Sequence, residues 1–169
     1  KSTRIAIAAA AAGLLFACAS TAVAATCESL ASMSIPHGTV TLAQTVAPGA
    51  FTPPSGRAGG PGGQNPFAKL NSFCRVAVTL KPGPQSDVKA EVGTVGGLER
   101  EAGVVGNGGF AGTISYPAMA DALQRGYATT STDTGHVGAT GTFALGHPEK
   151  FIDFAYRSTH EMTVKAKAI

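Results

Sequence analysis

The sequence predicts an α/β fold, in which helices cover a β-sheet, and three of its features support this class. Segments in the first half, such as GTVTLAQTVA, alternate apolar and polar residues as half-buried strands do. From Ser115 onward the pattern changes to helix, strand and helix in alternation, which is typical of layered α/β proteins. A length of 169 residues with 44% apolar content suffices for one modest domain and excludes two.

Residues 1–25 have the pattern of a secretory signal peptide. They begin with basic residues, continue with an apolar stretch from Ile5 to Phe16, and end in the small-residue run AVAA. The apolar stretch is too short to span a bilayer as a helix. We therefore expect cleavage after Ala24 or Ala25, which leaves residues 26–169 as a secreted or periplasmic domain.

Three cysteines bear on the export route and the redox state. Cys18 lies in the leader, and its acylation in a lipoprotein is an alternative to secretion that the bulky Phe16 disfavours. Removal of the leader leaves Cys27 and Cys74, an even pair in an exported chain, which predicts one disulfide. Two buried free thiols are the alternative. Neither cysteine has a second cysteine or histidine at ligand spacing, so we expect no metal site there.

The charge of the mature chain excludes some classes of partner. The sequence has 13 Lys and Arg against 10 Asp and Glu, but two of the basic residues, Lys1 and Arg4, belong to the leader. The mature chain is nearly neutral and has no basic stripe, so we expect no nucleic-acid partner. We also expect no membrane association beyond export.

The first half of the mature chain predicts strands interrupted by a loop. A β-like segment runs from Cys27 to about Thr52, and residues 53–66 (PPSGRAGGPGGQNP) are too rich in glycine and proline for a regular element. FCRVAVTLKP resumes a strand with Val76 and Val78 on one face and Arg75 on the other. SDVKAEV is the next strand, so the disulfide would pin the first segment to this sheet.

The second half predicts two helices around a strand. Pro117 in the first turn and Gly126 at the end bound a helix over PAMADALQRG, whose inner face has Met119, Ala122 and Leu123. YATTST follows as a buried strand. Pro148 then opens a long amphipathic helix. Its apolar face is predicted from residues at helical spacing, which are Phe151, Phe154, Ala155, Met162, Ala166 and Ile169.

Four blocks carry a resemblance to a known family. FCRVAVTLKP, VGNGGFAG, GYATTSTDTGH and HPEKFIDFAYRSTHEMTVKAKA, in this order, resemble the amino-terminal part of the tannase and feruloyl esterase family, and the likeness covers nearly all of the mature chain. The resemblance implies a secreted serine esterase with an α/β-hydrolase fold and an inserted lid domain. The substrates it implies are esters of aromatic acids such as gallate or ferulate, and some relatives cleave a terephthalate monoester. It also implies that Cys27 pairs with Cys74.

The resemblance assigns a function to the glycine-rich stretch VGNGGFAG. In an α/β hydrolase the loop after the third strand donates a backbone N–H to the oxyanion hole, and glycines let that backbone approach the substrate. The resemblance therefore implies that Gly108 and Gly109 lie in the oxyanion loop. A glycine cluster without this context is more often a turn.

The same resemblance implies that the catalytic triad lies beyond Ile169. The serine belongs to a Gly-Cys-Ser-x-Gly-Gly elbow after the long helix, and the acid and the histidine follow beyond the lid. We therefore expect a fragment with no catalytic residue of its own, inactive alone, with an incomplete sheet and the lid domain absent. A calcium ion in the missing lid is implied, and no cofactor or metal is expected in this chain. The expected partner of the full-length protein is a small aromatic-acid ester.

The stretch GYATTSTDTGHVG brings a serine, an acid and a histidine within six residues: Ser131, Asp133 and His136. Ser131 and Asp133 share one strand face, but the chain has turned away at His136, and a triad is assembled from separate loops. We therefore assign no triad here. Two roles stay open: Asp133 and the threonines hydrogen-bond the following loop, or Asp133 or His136 lines the mouth of the active site. His160 is interpreted as a packed or surface residue of the long helix.

The segment from Gly93 to Val104 departs from the family pattern. The family has a tryptophan-bearing strand and a Trp-Asn-Gly-Lys turn here, and this chain has no tryptophan. Compensating frameshifts or a genuine glycine-rich variant would account for the difference, and both put the third strand in doubt. The rival functional class is an inactive remnant or a non-catalytic secreted binding module.

Overall fold

The computed structural model describes residues 26–54, 65–96 and 102–169 of the chain. The predicted signal peptide, most of the glycine- and proline-rich loop, and residues 97–101 of the divergent segment lie outside the described residues.

In the described part, five strands come first in sequence, followed by a helix, a sixth strand and two further helices. Two 3₁₀ turns, Cys27–Ser32 and Gly141–Ala144, and one π-helical turn, Asp153–Arg157, accompany them. The strands are β1 (Ser34–Ile35), β2 (Gly38–Val46), β3 (Phe73–Leu80), β4 (Val88–Thr94), β5 (Ala102–Val104) and β6 (Ala128–Thr132). The helices are α1 (Tyr116–Gln124), α2 (Pro148–Ile152) and α3 (Ser158–Ala168).

These strands form one mixed, open sheet in the order β1-β2-β3-β4-β6-β5. From β1 to β4, each strand pairs antiparallel with the next one in sequence. Strand β6 is antiparallel to β4, and β5 is parallel to β6. The β3–β4 hairpin keeps one register from Cys74↔Thr94 to Leu80↔Val88. Strand β5, in the segment whose strand the sequence put in doubt, has three residues and lies at the edge of the sheet.

Each face of the sheet has its own apolar core, because side chains alternate along β3 and β4. On one face, Val76 and Val92 pack in a cluster that includes Met162 of α3. On the other face, Phe73 packs with Phe51 and with Leu123 of α1 in a second cluster. Helices therefore cover both faces, which confirms the predicted α/β class.

A disulfide joins Cys27 to Cys74, with the two Cα atoms 5.5 Å apart. It links the first 3₁₀ turn to the start of β3, so it pins the amino-terminal segment to the sheet as predicted. The alternative of two free thiols is wrong. Glu28 adds a second link between the turn and the sheet, because its Oε1 accepts a hydrogen bond of 2.8 Å from the Thr45 backbone N–H in β2.

The helix predicted from Pro148 exists, but its predicted apolar face is partly wrong. Met162 is 2% exposed in the core, whereas Phe151 is 56% exposed and Ala155 is also exposed. The π-helical turn between α2 and α3 is the cause, because it changes the number of residues per turn and rotates the positions before it away from those after it. In α1, Met119 and Leu123 are buried as predicted, and Ala120 is more deeply buried than Ala122. No helix in the described ranges is long and apolar enough to cross a membrane.

A buried ion pair lies between the sheet and α1. Arg75 donates from Nε and Nη2 to the two carboxylate oxygens of Glu91 at 2.7 and 2.5 Å, and the Tyr116 hydroxyl donates to Glu91 Oε1 at 2.7 Å. The guanidinium carbon of Arg75 also lies 5.3 Å from the centre of the Phe51 ring. The hydrogen bond to Glu91 raises the pKa of Arg75. Burial, followed by the bond to Glu91, raises the pKa of Tyr116 above its usual value.

Tyr116→Phe is expected to lower the free energy of unfolding by about 1.5 kcal/mol at pH 7, because it removes a donor from a buried carboxylate. The raised pKa means that the folded state favours the protonated phenol. The hydroxyl therefore contributes its full stability below the usual pKa of 10 and loses it as the pH rises through the raised pKa. Urea denaturation at pH 7 and pH 11 should show a narrower gap between wild type and variant at the higher pH.

The matched control is Tyr127→Phe, since this tyrosine is exposed. It should leave the unfolding curve unchanged at both pH values. A Tyr116→Phe curve that superimposes on the wild-type curve at pH 7 would contradict the role assigned to the hydroxyl.

Candidate functional site

The candidate site lies where the two parallel strands, β5 and β6, reach their carboxyl ends. Residues 105–112, which we term the glycine loop, follow β5, and residues 133–138, which we term the β6 loop, follow β6. In open α/β sheets, ligands bind outside the carboxyl ends of the strands. The two loops therefore occupy the place in the fold where a site is expected.

Two backbone hydrogen bonds and one from a side chain join the glycine loop to β6 and the β6 loop. The Val105 N–H donates to the Thr130 carbonyl at 2.9 Å, and the Gly112 N–H donates to the Gly138 carbonyl at 2.7 Å. Between them, Asn107 Nδ2 donates to the Thr132 carbonyl at 2.9 Å. Gly112 has to be a glycine for a steric reason, since a Cβ there would lie 2.4 Å from the carbonyl oxygen of the β6-loop residue His136.

Gly108 and Gly109 lie at the exposed tip of the glycine loop. A turn closes beneath them, because the Ala111 N–H donates to the Gly108 carbonyl at 3.1 Å. Gly109 has a φ of +55°, in the left-handed region that favours glycine. Among the described residues, neither glycine donates its N–H to another group. Both donors are therefore free to bind an oxygen anion, as the oxyanion prediction requires.

A crevice of about 190 Å³ opens beside the glycine loop. Its walls include Asn107 and Gly109 from that loop, Thr132 and Thr134 from the end of β6 and the loop that follows, and Phe154 from the π-helical turn. The crevice is thus lined by backbone, hydroxyl and aromatic groups, a mixture that suits a small ligand with polar and apolar parts.

The side chains of Ser131, Asp133 and His136 hydrogen-bond to other groups and not to one another in the described structure. The Ser131 Oγ accepts a hydrogen bond of 3.1 Å from the Ser115 N–H. Asp133 Oδ1 accepts from the backbone N–H groups of Lys89, at 2.9 Å, and Gly135, at 2.8 Å. These hydrogen bonds hold the local backbone, and the serine-to-histidine hydrogen bond of a triad does not occur among the three residues.

The Asp133 side chain links β4 to the β6 loop through its two backbone hydrogen bonds. Burial raises the pKa of its carboxyl, and the two backbone hydrogen bonds oppose this shift. Its contacts correspond to the first role that the sequence left open, a hydrogen bond to the loop after the strand.

His136 contacts the glycine loop, since its Nε2 lies 2.9 Å from the Phe110 carbonyl oxygen.

The remaining histidines lie away from this site or on the surface. His37 is exposed in the β1–β2 turn, and His147 and His160 are exposed on either side of the π-helical turn. Within the described ranges, no group of three or more His, Cys, Asp or Glu side chains could hold a metal ion.

Sequence reasoning did not place Asn107, Phe143 or Phe154 at this site, and it assigned Phe154 only to the apolar face of the long helix. Asn107 lies in the glycine-rich block, and its side chain is the polar one there, which is the signal that could have singled it out. Phe143 and Phe154 lie 5.4 Å apart, centre to centre, and both approach His136. No sequence pattern connects them, because they come from separate segments.

Comparison with known proteins places this fold in a family. The family model described as tannase and feruloyl esterase matches residues 74–169. An uncharacterised esterase of Xanthomonas campestris is 36% identical over 148 residues, which are 86% of this chain and 24% of that protein. Feruloyl esterase C of Talaromyces stipitatus is 33% identical over 149 residues, which are 85% of this chain and 27% of that protein.

A solved structure gives the same result for the fold. The crystal structure of feruloyl esterase B from Aspergillus oryzae superimposes with a TM-score of 0.71 at 28% sequence identity, over 84% of this chain and 28% of that one. The chain thus spans about a quarter of the length of the relatives that it matches. Since the family model covers more than half of this sequence, the chain belongs to the tannase and feruloyl esterase family.

Proposed function

We propose that this chain is the amino-terminal part of a secreted serine esterase that hydrolyses esters of aromatic acids such as gallate or ferulate. Family membership and the relatives named feruloyl esterase support an ester hydrolase. The observation that carries the proposal is that the N–H groups of Gly108 and Gly109, which follow the carboxyl end of β5, bond to no other described residue. Preorganised donors of this kind stabilise the negative charge that develops on an ester oxygen.

In the proposed reaction, a serine beyond Ile169 attacks the ester carbonyl and a histidine takes the serine proton. The carbonyl oxygen becomes an oxyanion, which the glycine loop binds through one backbone N–H. A second N–H comes from the residue after the nucleophile. The histidine then gives the proton to the leaving alcohol, and water releases the acid in a second round. The part of this chain in the reaction is to bind the oxyanion.

Export is part of the proposal. A disulfide between Cys27 and Cys74 suits an oxidising compartment, where such bonds form and persist. The leader-like composition of residues 1–25 supports the same route.

The test is to sequence the gene from the codon for Val88 through several hundred bases past that for Ile169, and to express the complete reading frame. We expect a Gly-Cys-Ser-x-Gly-Gly elbow, hydrolysis of methyl gallate or methyl ferulate, and labelling of one serine by a fluorophosphonate. The control is a protein of residues 26–169, which should neither hydrolyse the esters nor take the label. A reading frame without the elbow would instead favour an inactive remnant or a binding module.

A further inference from the structure

The side chain of His136 is buried and closely packed, although the proposed function does not assign it a role. Its side chain lies in the β6 loop and the residue is 5% exposed. Its ring stacks on Phe143 with the centroids 3.7 Å apart and the planes inclined by 13°, and meets the edge of Phe154 at 5.7 Å. On the side of the glycine loop, a Cβ on Gly112 would lie 2.6 Å from the ring carbon Cδ2. The ring is therefore fixed by neighbours from three segments.

The Nε2 atom of the His136 ring donates a hydrogen bond to the glycine loop. Nε2 lies 2.9 Å from the Phe110 carbonyl oxygen, and a carbonyl can only accept, so Nε2 carries the hydrogen. Nδ1 lies 3.2 Å from the hydroxyl oxygen of Thr134, whose hydrogen is donated to the Asp133 carbonyl at 2.6 Å. In this arrangement Nε2 is the donor, and its hydrogen bond is directed to the glycine loop.

The backbone that presents His136 is strained. Thr134 has a φ of +59°, and a β-branched residue in this left-handed region is a conformational outlier. Such strain persists only where surrounding contacts hold it, and it clusters at functional sites. Here it is held by Asp133, whose Oδ1 accepts from the Gly135 N–H at 2.8 Å on the far side of Thr134. The turn places the imidazole against the glycine loop.

The Nε2 hydrogen bond connects His136 to the proposed oxyanion site, because its acceptor is the Phe110 carbonyl. Phe110 directly follows the two glycines that carry the candidate oxyanion donors, and the residue is 49% exposed. The bond to its carbonyl fixes the peptide plane at the carboxyl end of the Gly108–Phe110 tip. The Ala111 N–H, in that peptide plane, closes the turn by its bond to the Gly108 carbonyl. The orientation of the tip thus depends on a bond from a loop 26 residues away in sequence.

We propose that His136 is a positioning residue that orients the oxyanion-binding N–H at the Gly108–Gly109 tip of the glycine loop through its Nε2 hydrogen bond to the Phe110 carbonyl. This inference rests on the proposed function of the glycine loop. The interaction acts on a group used in the transition state and not on substrate binding, so its loss lowers kcat and leaves KM unchanged.

Two substitutions in the complete protein separate the hydrogen bond from the packing. His136→Phe keeps a flat ring for the stack on Phe143 and removes the donor. His136→Gln removes the ring and keeps an N–H at a comparable reach. We expect the Phe variant to lose about 10- to 100-fold in kcat at unchanged KM, because a small misplacement of a catalytic group has an effect of this size. The Gln variant should recover most of the loss.

Hydrogen exchange gives a readout that does not depend on catalysis. In the Phe variant, the amides of Ala111 and Gly112 should exchange faster than in the wild type, and in the Gln variant they should return toward the wild-type rate. If the Phe variant does not fold, His136→Met takes its place, because methionine matches glutamine in length and lacks the donor.

The outcomes separate this inference from the proposed function. A wild-type protein without esterase activity would count against the proposed function, while the exchange rates would still test the bond. Wild-type exchange of the glycine loop in the Phe variant would overturn the positioning role. Failure of glutamine to restore both readouts would overturn it too, since the ring packing and not the hydrogen bond would then hold the loop.

Discussion

Gly108→Pro is expected to lower the kcat of the complete esterase about 100- to 1000-fold, the usual effect of losing one donor of an oxyanion hole. Proline has no N–H, so the substitution removes the donor itself. Gly108→Ala is the matched control, because it keeps the N–H and its Cβ would meet no atom within 4 Å. The alanine variant should stay within about threefold of the wild type, a difference of less than about 1 kcal/mol in barrier height.

The measurement is steady-state hydrolysis of methyl ferulate by wild type and both variants, with thermal unfolding of each. Since the lost donor acts in the transition state, KM should change little. Equal kcat values for the proline and alanine variants, with both proteins folded, would show that the Gly108 N–H does not bind the oxyanion.

Replacement of both Cys27 and Cys74 by serine is expected to cost about 4 kcal/mol of unfolding free energy by the chain-entropy account of disulfides. The bridge closes a long loop, with 47 residues of sequence separation, so its removal frees the unfolded chain considerably. In the folded protein it also holds the turn Cys27–Ser32 against β3. Without the bridge, that turn is left with the Glu28 bond to Thr45 and its apolar contacts.

Urea denaturation with and without a thiol reductant measures this effect. Reductant should lower the stability of the wild type to that of the double serine variant and leave the variant unchanged. A variant as stable as the oxidised wild type would contradict the prediction. A reductant effect on the variant would show that the reagent acts elsewhere.

Much of the fold could be predicted because its signals are local. The alternation along FCRVAVTLKP predicted the two faces of β3, and Val76 and Val78 do lie in one core while Phe73 lies in the other. Pro117 and Pro148 predicted the starts of α1 and α2, which begin within one residue of them. A strand or a helix start depends on neighbours in sequence, so a short stretch of residues contains enough information to place it.

The π-helical turn shows where local patterns fail. Its residues Asp153 and Arg157 form an ion pair, and both bond to the Ser86 hydroxyl in the β3–β4 connection, about 70 residues away. The helical period alone placed Phe151 on the buried face, and the structure exposes it. A contact with a distant loop therefore decided which side of the helix meets the core.

At the site, the glycine loop is visible in the sequence, and the family resemblance adds the candidate donors Gly108 and Gly109. The contacts that hold this loop are found only in the folded chain, where the Asn107 side chain donates to the Thr132 carbonyl and the His136 ring to the Phe110 carbonyl. Where two backbone segments approach closely, only glycine fits, so such positions can be recognised in the sequence. A hydrogen bond between two loops cannot be recognised there, because its partners are brought together by the parallel pairing of β5 with β6.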